Sequence, residues 1–335
     1  MTAPSSAPLR EQLVWDNPVS LTIQPTPGQS SWSIYGSEQF TSGWTSAGGG
    51  VYSRVLSART SVPRVLVSSL TDGDGFWLDL ASAGTSTTPP AGSYGFVDAG
   101  DTLYVHLPAD ANPNSHTIEV PLNNYCVTST RQPGVTLINA VGRAAVNSCF
   151  RAAATDALGF GSLFATDCTA EYGGSAGGFA TDIDWTAATF TRCIAKRAQN
   201  DGFNIHGSAG ITSTATLFDC ESAYNLDEGA SPHDDTRLVM TRGRMHHNAS
   251  SGMAAVDRCV ATMTGVEVDH NQTSGTDPLT GGISIANTVT ATLTGNNVHD
   301  NPNEGIKAAA TASVTATGNT SGLASGNGLA DNLSA

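Results

Sequence analysis

Charged residues are scarce in this chain of 335 residues, since Asp, Glu, Lys and Arg together make up 13% of it. Basic residues are the scarcer kind: there are 15 Lys and Arg against 29 Asp and Glu, and the formal net charge is −14. Nucleic-acid binding requires clustered Lys and Arg against the phosphates. The composition therefore argues against nucleic acid as a partner.

Long apolar runs are also missing. No run approaches the ~20 residues that cross a bilayer, so we expect no membrane span. The N-terminal residues MTAPSSAPLREQ contain no basic segment followed by an apolar one, and hence show no secretory signal. We expect a virion protein released by lysis, with a cytoplasmic or non-classically secreted protein as the alternative.

The Cys residues lack the spacings of a zinc site, and no metal site is predicted from them. Synthesis in a reducing cytoplasm favours free thiols. Their spacing instead suits small buried residues in a repeat. The six are Cys126, Cys149, Cys168, Cys193, Cys220 and Cys259.

Gly is abundant, with 36 residues, and the sequence favours short strands and tight turns over helices. Residues 1–20 are rich in Ser, Pro and Ala and predict an arm or linker that docks onto other virion proteins. Residues 21–118 predict a separate β-rich module of short β-branched and aromatic strands. This module is expected to cap the open end of the structure that follows it.

From about residue 119 the chain repeats with the period of a solenoid. Asn225, Asn248 and Asn301 each precede a Gly of the repeat by four residues, and stacked Asn of this kind are structural. The repeat predicts an all-β solenoid over residues 119–335. Small residues form one column at steps of 19 to 30 residues: Cys126, Cys149, Cys168, Cys193, Cys220, Gly243, Gly265, Gly295 and Gly318.

This pattern resembles the right-handed parallel β-helix of pectin-lyase-like proteins, over roughly residues 119–330. The resemblance implies a long, shallow outer groove suited to an extended polysaccharide. It says little about function, because the fold carries lyases, hydrolases, epimerases and inert spikes.

Imidazoles stack on one outer face of the predicted solenoid. Strand side chains alternate, and the apolar positions around Phe203 and Ile205 must point inward. Asn204 and His206 then point outward, as does His233 in the next coil, and Asp182 takes the same position one coil earlier. The imidazoles of His206 and His233 should therefore lie directly over one another.

Carboxylates surround this predicted column, which makes it a candidate catalytic site. His can act as a base near neutrality, and a neighbouring acid orients it. His233 is the leading catalytic candidate, with His206, Asp234 and Glu228 as its partners. No cofactor motif is present, and calcium, held by carboxylates such as Asp201, is the only cofactor that the sequence suggests. Substrate-binding candidates are Asp182, Asp201, Asn204, Lys196, Arg197, Tyr224 and His247.

The segment from Glu228 to Asp234 resembles the YGFDPH(D/E) segment of mannuronan C5-epimerases. In that family Tyr, Asp and His of the segment are catalytic, and the resemblance carries over only to His233. Glu228 stands at the Tyr position and Ser231 at the Asp position.

The predicted arm, β module and solenoid together resemble phage tail-spike and fibre proteins. This resemblance implies a homotrimer that binds, and in some cases depolymerises, a bacterial surface polysaccharide. Two alternatives stay open: a free-standing lyase or C5-epimerase acting on uronic acids, and a purely structural virion spike.

Overall fold

The computed structural model describes residues 7–57, 59–153, 161–182, 185–208, 210, 212–272, 281–328 and 330–333. The chain divides into two compact units. The solenoid unit comprises Met1–Tyr35 and Tyr125–Ala335, and the β module is Gly36–Asn124. Within the described residues no helix is long and apolar enough to cross a membrane. Three short 3-10 helices are described, at Pro108–Asp110, Pro113–Ser115 and Leu323–Ser325.

One face of the solenoid unit is a ten-stranded parallel sheet, which we call sheet A. Most of its strands have three to six residues, which is the length of one side of a coil. Sheet A consists of Leu13–Trp15, Tyr125–Ser129, Ser148–Ala153, Gly177–Asp182, Phe203–Ile205, Ala230–Pro232, Met253–Ala255, Ile283–Ile285, Ile306–Ala308 and Asn332–Leu333.

The remaining strands of the solenoid unit form a fifteen-stranded parallel sheet, sheet B, which bends at a corner within each coil. Sheet B consists of Leu21–Ile23, Trp32–Tyr35, Val135–Ile138, Ala140–Arg143, Gly161–Thr166, Thr169–Glu171, Trp185–Thr191, Ile194–Lys196, Thr214–Ala223, Arg237–His246, Val260–Thr264, Glu267–Asp269, Thr290–Thr294, Asn297–His299 and Ser313–Thr317. The predicted all-β solenoid is therefore confirmed.

A column of aromatic side chains fills part of the solenoid core. The rings of Phe150, Phe179 and Phe203 lie on successive coils, with centroids 5.2 and 5.1 Å apart. Phe190 of sheet B packs against the last two of these rings. All four side chains are fully buried. Parallel in-register pairing places like residues over one another, so each ring fills the space above the next.

The predicted domain boundaries differ from those of the structure at the N-terminal side. Leu13–Trp15 pairs with Val127–Ser129, and Leu21–Ile23 pairs with Val135–Leu137. Trp32–Tyr35 pairs with Ala140–Arg143. Residues 13–35 thus form a first coil of the solenoid, which the sequence analysis had divided between the arm and the β module. The pairing joins segments more than 100 residues apart, so no local repeat reveals it.

The β module contains two sheets that are mostly antiparallel. Phe40 and Trp44 pack edge to face in its core, with ring centroids 6.3 Å apart. Its predicted role as a cap stays a prediction. The strands are Thr45–Gly48, Val51–Val55, Ala81–Ser82, Ser93–Val97 and Thr102–His106 in one sheet, and Ser37–Phe40, Leu66–Thr71, Trp77–Asp79 and Ile118–Pro121 in the other.

The single column of Cys and Gly residues that the sequence suggested is three separate columns. Cys126 and Cys149 lie in strands of sheet A, whereas Cys220 lies in sheet B and pairs with Gly243. Gly265, Gly295 and Gly318 form the corner column instead, where φ is between +61° and +64°. Gly adopts this backbone conformation without strain. All six Cys are buried and free, as predicted.

The predicted stack of Asn side chains is confirmed and is longer than the sequence suggested. Asn225, Asn248, Asn271, Asn301 and Asn327 form a ladder in which each Nδ2 donates to the next Oδ1, at 2.8 to 3.3 Å. Each of these oxygens also accepts the backbone N–H of the preceding Asn. The ladder therefore satisfies buried backbone groups at the turn that leads into sheet A.

Replacing Asn248 by Ala removes its bonds to both neighbouring Asn and to the carbonyl of Ser222, all of them buried. Each unsatisfied buried group costs about 1–3 kcal/mol, so we expect Asn248→Ala to lower the free energy of unfolding by about 3 kcal/mol. Urea unfolding measures this. The exposed Asn297 provides the control, and Asn297→Ala should change the value by less than about 0.5 kcal/mol. Equal effects of the two substitutions would contradict a structural role for the ladder.

Candidate functional site

The register of sheet A places the candidate residues in two outward-facing columns. Phe203 pairs with Ala230 and Ile205 with Pro232, both inward, as the sequence analysis predicted. The column between them contains small residues, and the column after them contains the imidazoles. We call these the small column, Ala180, Asn204, Ser231, Ala254 and Ser284, and the His column, Asp182, His206, His233 and Val256.

His206 and His233 stack, as predicted. Their ring centroids are 4.1 Å apart and the planes differ by 10°. Parallel pairing without a register shift between adjacent coils produces this overlap. The two side chains differ in accessibility: His206 is 41% exposed and His233 is 24% exposed. Exposure therefore favours His206, rather than His233, as the imidazole that meets a substrate.

Each imidazole has a carboxylate of the next coil near its Nδ1 atom. The distance from His206 Nδ1 to Asp234 Oδ2 is 3.7 Å, and that from His233 Nδ1 to Asp257 Oδ2 is 3.9 Å. Backbone N–H groups of Gly207 and Asp234 donate to these two carboxylates. Both Asp residues have a left-handed backbone, with φ near +60°, at the same position of the coil. The arrangement orients each ring through the same local geometry.

Ser231 contacts the other side of the His233 ring. Its Oγ lies 2.6 Å from His233 Nε2, which is hydrogen-bonding distance. Burial lowers the pKa of His233 to about 4, and the charge of His206 lowers it further, whereas Asp257 and Asp234 oppose the shift. His233 is therefore neutral at neutral pH, and a neutral ring accepts a proton from a hydroxyl.

Asn204 points outward in the alternation, as predicted, but it is only 5% exposed. Its backbone neighbour in the next coil is Ser231. The Oδ1 atom of Asn204 is buried and has no hydrogen-bond partner among the described residues. Buried polar atoms normally have partners, so this carboxamide is an exception that calls for an explanation.

The carboxylates around the His column are partly neutralised by Arg. Asp182 accepts a hydrogen bond of 2.7 Å from Arg151. Asp235 forms a two-pronged ion pair with Arg258 at 2.7 and 3.1 Å, and this pairing lowers the pKa of Asp235. These two Arg residues are therefore already engaged by acids of the site.

Three carboxylates lie at the opposite end of the same strands. Oxygen atoms of Asp201, Asp227 and Glu228 lie within 4.8 Å of one another. Asp201 accepts the N–H of Glu228, and Glu228 accepts the hydroxyl of Ser250. Oxygen ligands of this kind suit calcium, which stays a prediction.

Glu228 was predicted to assist His233, but the structure separates the two. They flank strand Ala230–Pro232 at its opposite ends, and five residues of extended chain span roughly 16 Å. Glu228 is also 6% exposed. The two side chains therefore belong to different clusters, and Asp234 and Asp257 are the acids beside the imidazoles.

The predicted binding residues at the turn before sheet A form a ladder of planar groups. The guanidinium of Arg197 lies 5.5 Å from the ring centroid of Tyr224. Tyr224 stacks on His247 at 4.9 Å, and His247 stacks on His270 at 5.0 Å. Protein groups thus cover both faces of the Tyr224 ring. A sugar can meet the edge of this ring, while the stacking contact suggested by the sequence is already taken.

Lys196 belongs to a neighbouring charged group on sheet B. Its Nζ lies 2.8 Å from Glu221 Oε1, and His246 Nε2 lies 3.2 Å from the same oxygen. The hydrogen bond from His246 and that from Lys196 lower the pKa of Glu221 to about 2. Lys196 and Arg197 are thus placed with the turn ladder and its neighbours, and their roles in substrate binding stay predictions.

A second group with metal-ligand residue types lies further along sheet B. Ligand atoms of Glu267, Asp269 and His299 lie within 4.8 Å of one another. Arg244, however, binds the buried Asp269 through two hydrogen bonds of 2.7 and 2.6 Å. A guanidinium paired with the central carboxylate already supplies its positive charge, so this group does not suit a cation.

Sequence reasoning missed Asp257 and the contact between Ser231 and His233. A signal for Asp257 existed, because it follows the His column by one residue, as Asp234 does one coil earlier. The contact of Ser231 depends on the side-chain rotamers of both residues, which strand periodicity does not specify.

Comparison with known proteins supports the fold. Residues 159–321, which are 163 of the 335 residues, match the family model described as "Right handed beta helix region". This match agrees with the predicted right-handed parallel β-helix. No curated protein sequence matches the chain.

Two solved structures are similar to this chain in fold. One is titled "The complex structure of XylC with xylose", with 10% identity, a TM-score of 0.51, and 92% of this chain aligned. This chain covers 65% of that structure's length. The other is titled "Glycoside hydrolase", with 9% identity, a TM-score of 0.52, and coverage of 96% of this chain and 88% of that one. At these identities the likeness concerns the fold alone.

Proposed function

We propose that this protein binds an extended polysaccharide across sheet A and acts on it at the His column, with His206 as the accessible acid–base residue. The stacked pair of His206 and His233 beside Asp234 and Asp257 is the observation that carries the proposal. An imidazole near a carboxylate, on an outer face that also holds a buried unpaired amide, has the components of acid–base chemistry. The carbohydrate-related titles of the two similar structures support the substrate class.

The charges around the His column favour a neutral glycan. Asp182, Asp234 and Asp257 flank the imidazoles, and the Arg residues described there pair with acids. A uronic acid would bring its own carboxylate into this group, and like charges at short range repel. Lyase or C5-epimerase chemistry on uronic acids therefore needs a bound cation, and calcium at nearby carboxylates is the form that this alternative takes.

The setting we propose is a virion spike or fibre that recognises a bacterial surface polysaccharide. The continuous parallel sheets of the solenoid and the separate β module support this setting. A homotrimer is expected for such a spike, and light scattering of the purified protein measures the oligomeric state. A monomer that degrades glycans would favour the free-standing enzyme, and a trimer that neither binds nor degrades them would favour a purely structural spike.

The test of the proposed function compares neutral and anionic glycans. The protein is incubated with xylan, bacterial capsular polysaccharides, alginate and pectate. New reducing ends report hydrolysis, and ultraviolet absorbance of unsaturated uronates reports lyase activity. We expect His206→Ala to lower the rate on the preferred glycan by about 100-fold, because a positioned acid–base group contributes about that factor or more.

His270 supplies the matched control for this substitution. It is an imidazole that is 49% exposed and lies on the turn ladder. We expect His270→Ala to retain the rate. Equal rates for the His206 variant and the unmodified protein would contradict acid–base chemistry at the His column, and affinity electrophoresis of the variant on the same glycan would then test binding alone.

A further inference from the structure

Ser231, His233 and Asp257 have the relative placement of a nucleophile, its base and the acid that orients the base. Ser231 Oγ lies 2.6 Å from His233 Nε2, and Asp257 Oδ2 lies 3.9 Å from His233 Nδ1. The two contacts are on opposite nitrogen atoms of one ring. This order of atoms is the one that activates a serine hydroxyl in hydrolases of unrelated folds.

The acid of this group is held in place by the next coil. Asp257 accepts the backbone N–H of Asp234 and a hydrogen bond from the side chain of Asn287. Its distance of 3.9 Å from the ring exceeds that of a hydrogen bond. Catalytic hydrogen bonds without substrate are often long and shorten when substrate binds.

A donor for the developing negative charge lies beside the serine. Asn204 and Ser231 are partners in adjacent strands, whose backbones lie about 4.8 Å apart. The Asn204 side chain is 5% exposed, and its Oδ1 has no partner among the described residues. A buried carboxamide without a partner is retained at a cost of about 1–3 kcal/mol, which a substrate contact would explain.

The small column leaves room for a small substituent next to the serine. Ala180 and Ala254 stand at the same outward position as Asn204 and Ser231. Ser231 itself is 2% exposed, so only a small group can reach its Oγ. An acetyl ester on a sugar hydroxyl has this size and carries no charge, which suits the acidic surroundings.

We propose that Ser231, with His233 as base and Asp257 as the positioning residue, removes O-acetyl groups from the glycan that the protein binds. This inference rests on the proposed function for the identity of the glycan. It does not require cleavage of the glycan chain. His206 is the acid–base residue of the proposed glycan chemistry, whereas Ser231 is the nucleophile of the esterase reaction.

The reaction has two halves, and water is the co-reactant. Ser231 Oγ attacks the ester carbonyl and passes its proton to His233 Nε2, while the Asn204 amide donates to the oxyanion. The C–O bond to the sugar breaks, the sugar oxygen takes the proton from His233, and acetyl-Ser231 remains. Water then attacks this ester and gives a proton to His233. Acetic acid leaves as the Ser231 hydroxyl regains that proton.

The test uses the full chain with p-nitrophenyl acetate and O-acetylated xylan, together with a fluorophosphonate probe. We expect acetate release from both substrates and probe attachment at Ser231, located by peptide mass spectrometry. Ser231→Ala should lower acetate release by at least about 1000-fold and abolish labelling. Asp257→Asn should lower the rate while labelling at Ser231 persists at a reduced rate.

Ser284 is the matched control. It occupies the same small column, is fully buried and bonds to the hydroxyl of Ser251. Ser284→Ala should retain both acetate release and labelling, and melting curves verify that each variant is folded. Unchanged acetate release by Ser231→Ala, or labelling at any site except Ser231, would overturn the proposal. Glycan binding retained by Ser231→Ala would show that the proposed function stands independently of the esterase.

Discussion

Phe203→Ala is expected to lower the free energy of unfolding by about 3–5 kcal/mol, the range for a fully buried aromatic residue. The Phe203 ring stacks on Phe179 with a 9° angle between planes and also packs against Phe190. Removing it opens a cavity in the core between sheets A and B. Neighbouring coils hold the backbone by parallel pairing, so the cavity cannot close easily.

The same substitution should disturb the functional face. Phe203 and Ile205 are the inward residues of the strand that presents Asn204 and His206 outward. Urea unfolding measures the stability, and glycan binding by the folded variant measures the effect on the face. Phe164→Ala is the control, because this ring points out of sheet B and is partly exposed. We expect it to cost less than about 1 kcal/mol, and a similar loss for both variants would contradict the stacking argument.

Acidification is expected to destabilise the protein through His233. Its pKa in the folded state is about 4, lowered chiefly by burial, whereas the unfolded chain has the ordinary value of 6.5. Between these values the unfolded state binds more protons than the folded state, so stability falls as the pH falls through this window. The loss from His233 alone is about 2 kcal/mol at pH 5 and about 3 kcal/mol at pH 4.

Comparison with His233→Gln isolates this contribution from those of other groups. Urea unfolding at pH 7 and at pH 5 provides the two free energies for each protein. The variant should lose about 2 kcal/mol less than the unmodified protein over this interval. Glu221 does not interfere, because its pKa of about 2 lies below an ordinary value of 4.5 and its contribution is lost only below about pH 4.5. Equal losses for both proteins would contradict the lowered pKa of His233.

The stack of His206 over His233 could be predicted because it depends only on repetition. Residues alternate across a strand, and parallel coils repeat in register, so two His residues at equivalent positions must overlap. The Asn ladder follows from the same property. Counting from the Gly before Phe203 was sufficient to place Asn204, Ser231 and Asp182 on the correct side of the sheet.

The burial of these outward residues could not be predicted from alternation. Asn204 and Ser231 point away from the core and are nevertheless 5% and 2% exposed. Shielding depends on the side chains around them, such as the His233 ring that contacts Ser231 Oγ. The separation of Glu228 from His233 was missed for a related reason, because closeness in sequence conceals the length of an extended strand.

The sequence by itself determined the all-β solenoid, the stacking of the imidazoles and the Asn ladder, since each follows from a local period repeated along the chain. Tertiary structure decided that residues 13–35 form the first coil, that Cys and Gly fall into three columns, and that Ser231 and Asp257 contact opposite sides of the His233 ring. These features depend on pairing between distant segments and on side-chain rotamers. Neither is encoded in a local period, and both are selected only when the coils pack together.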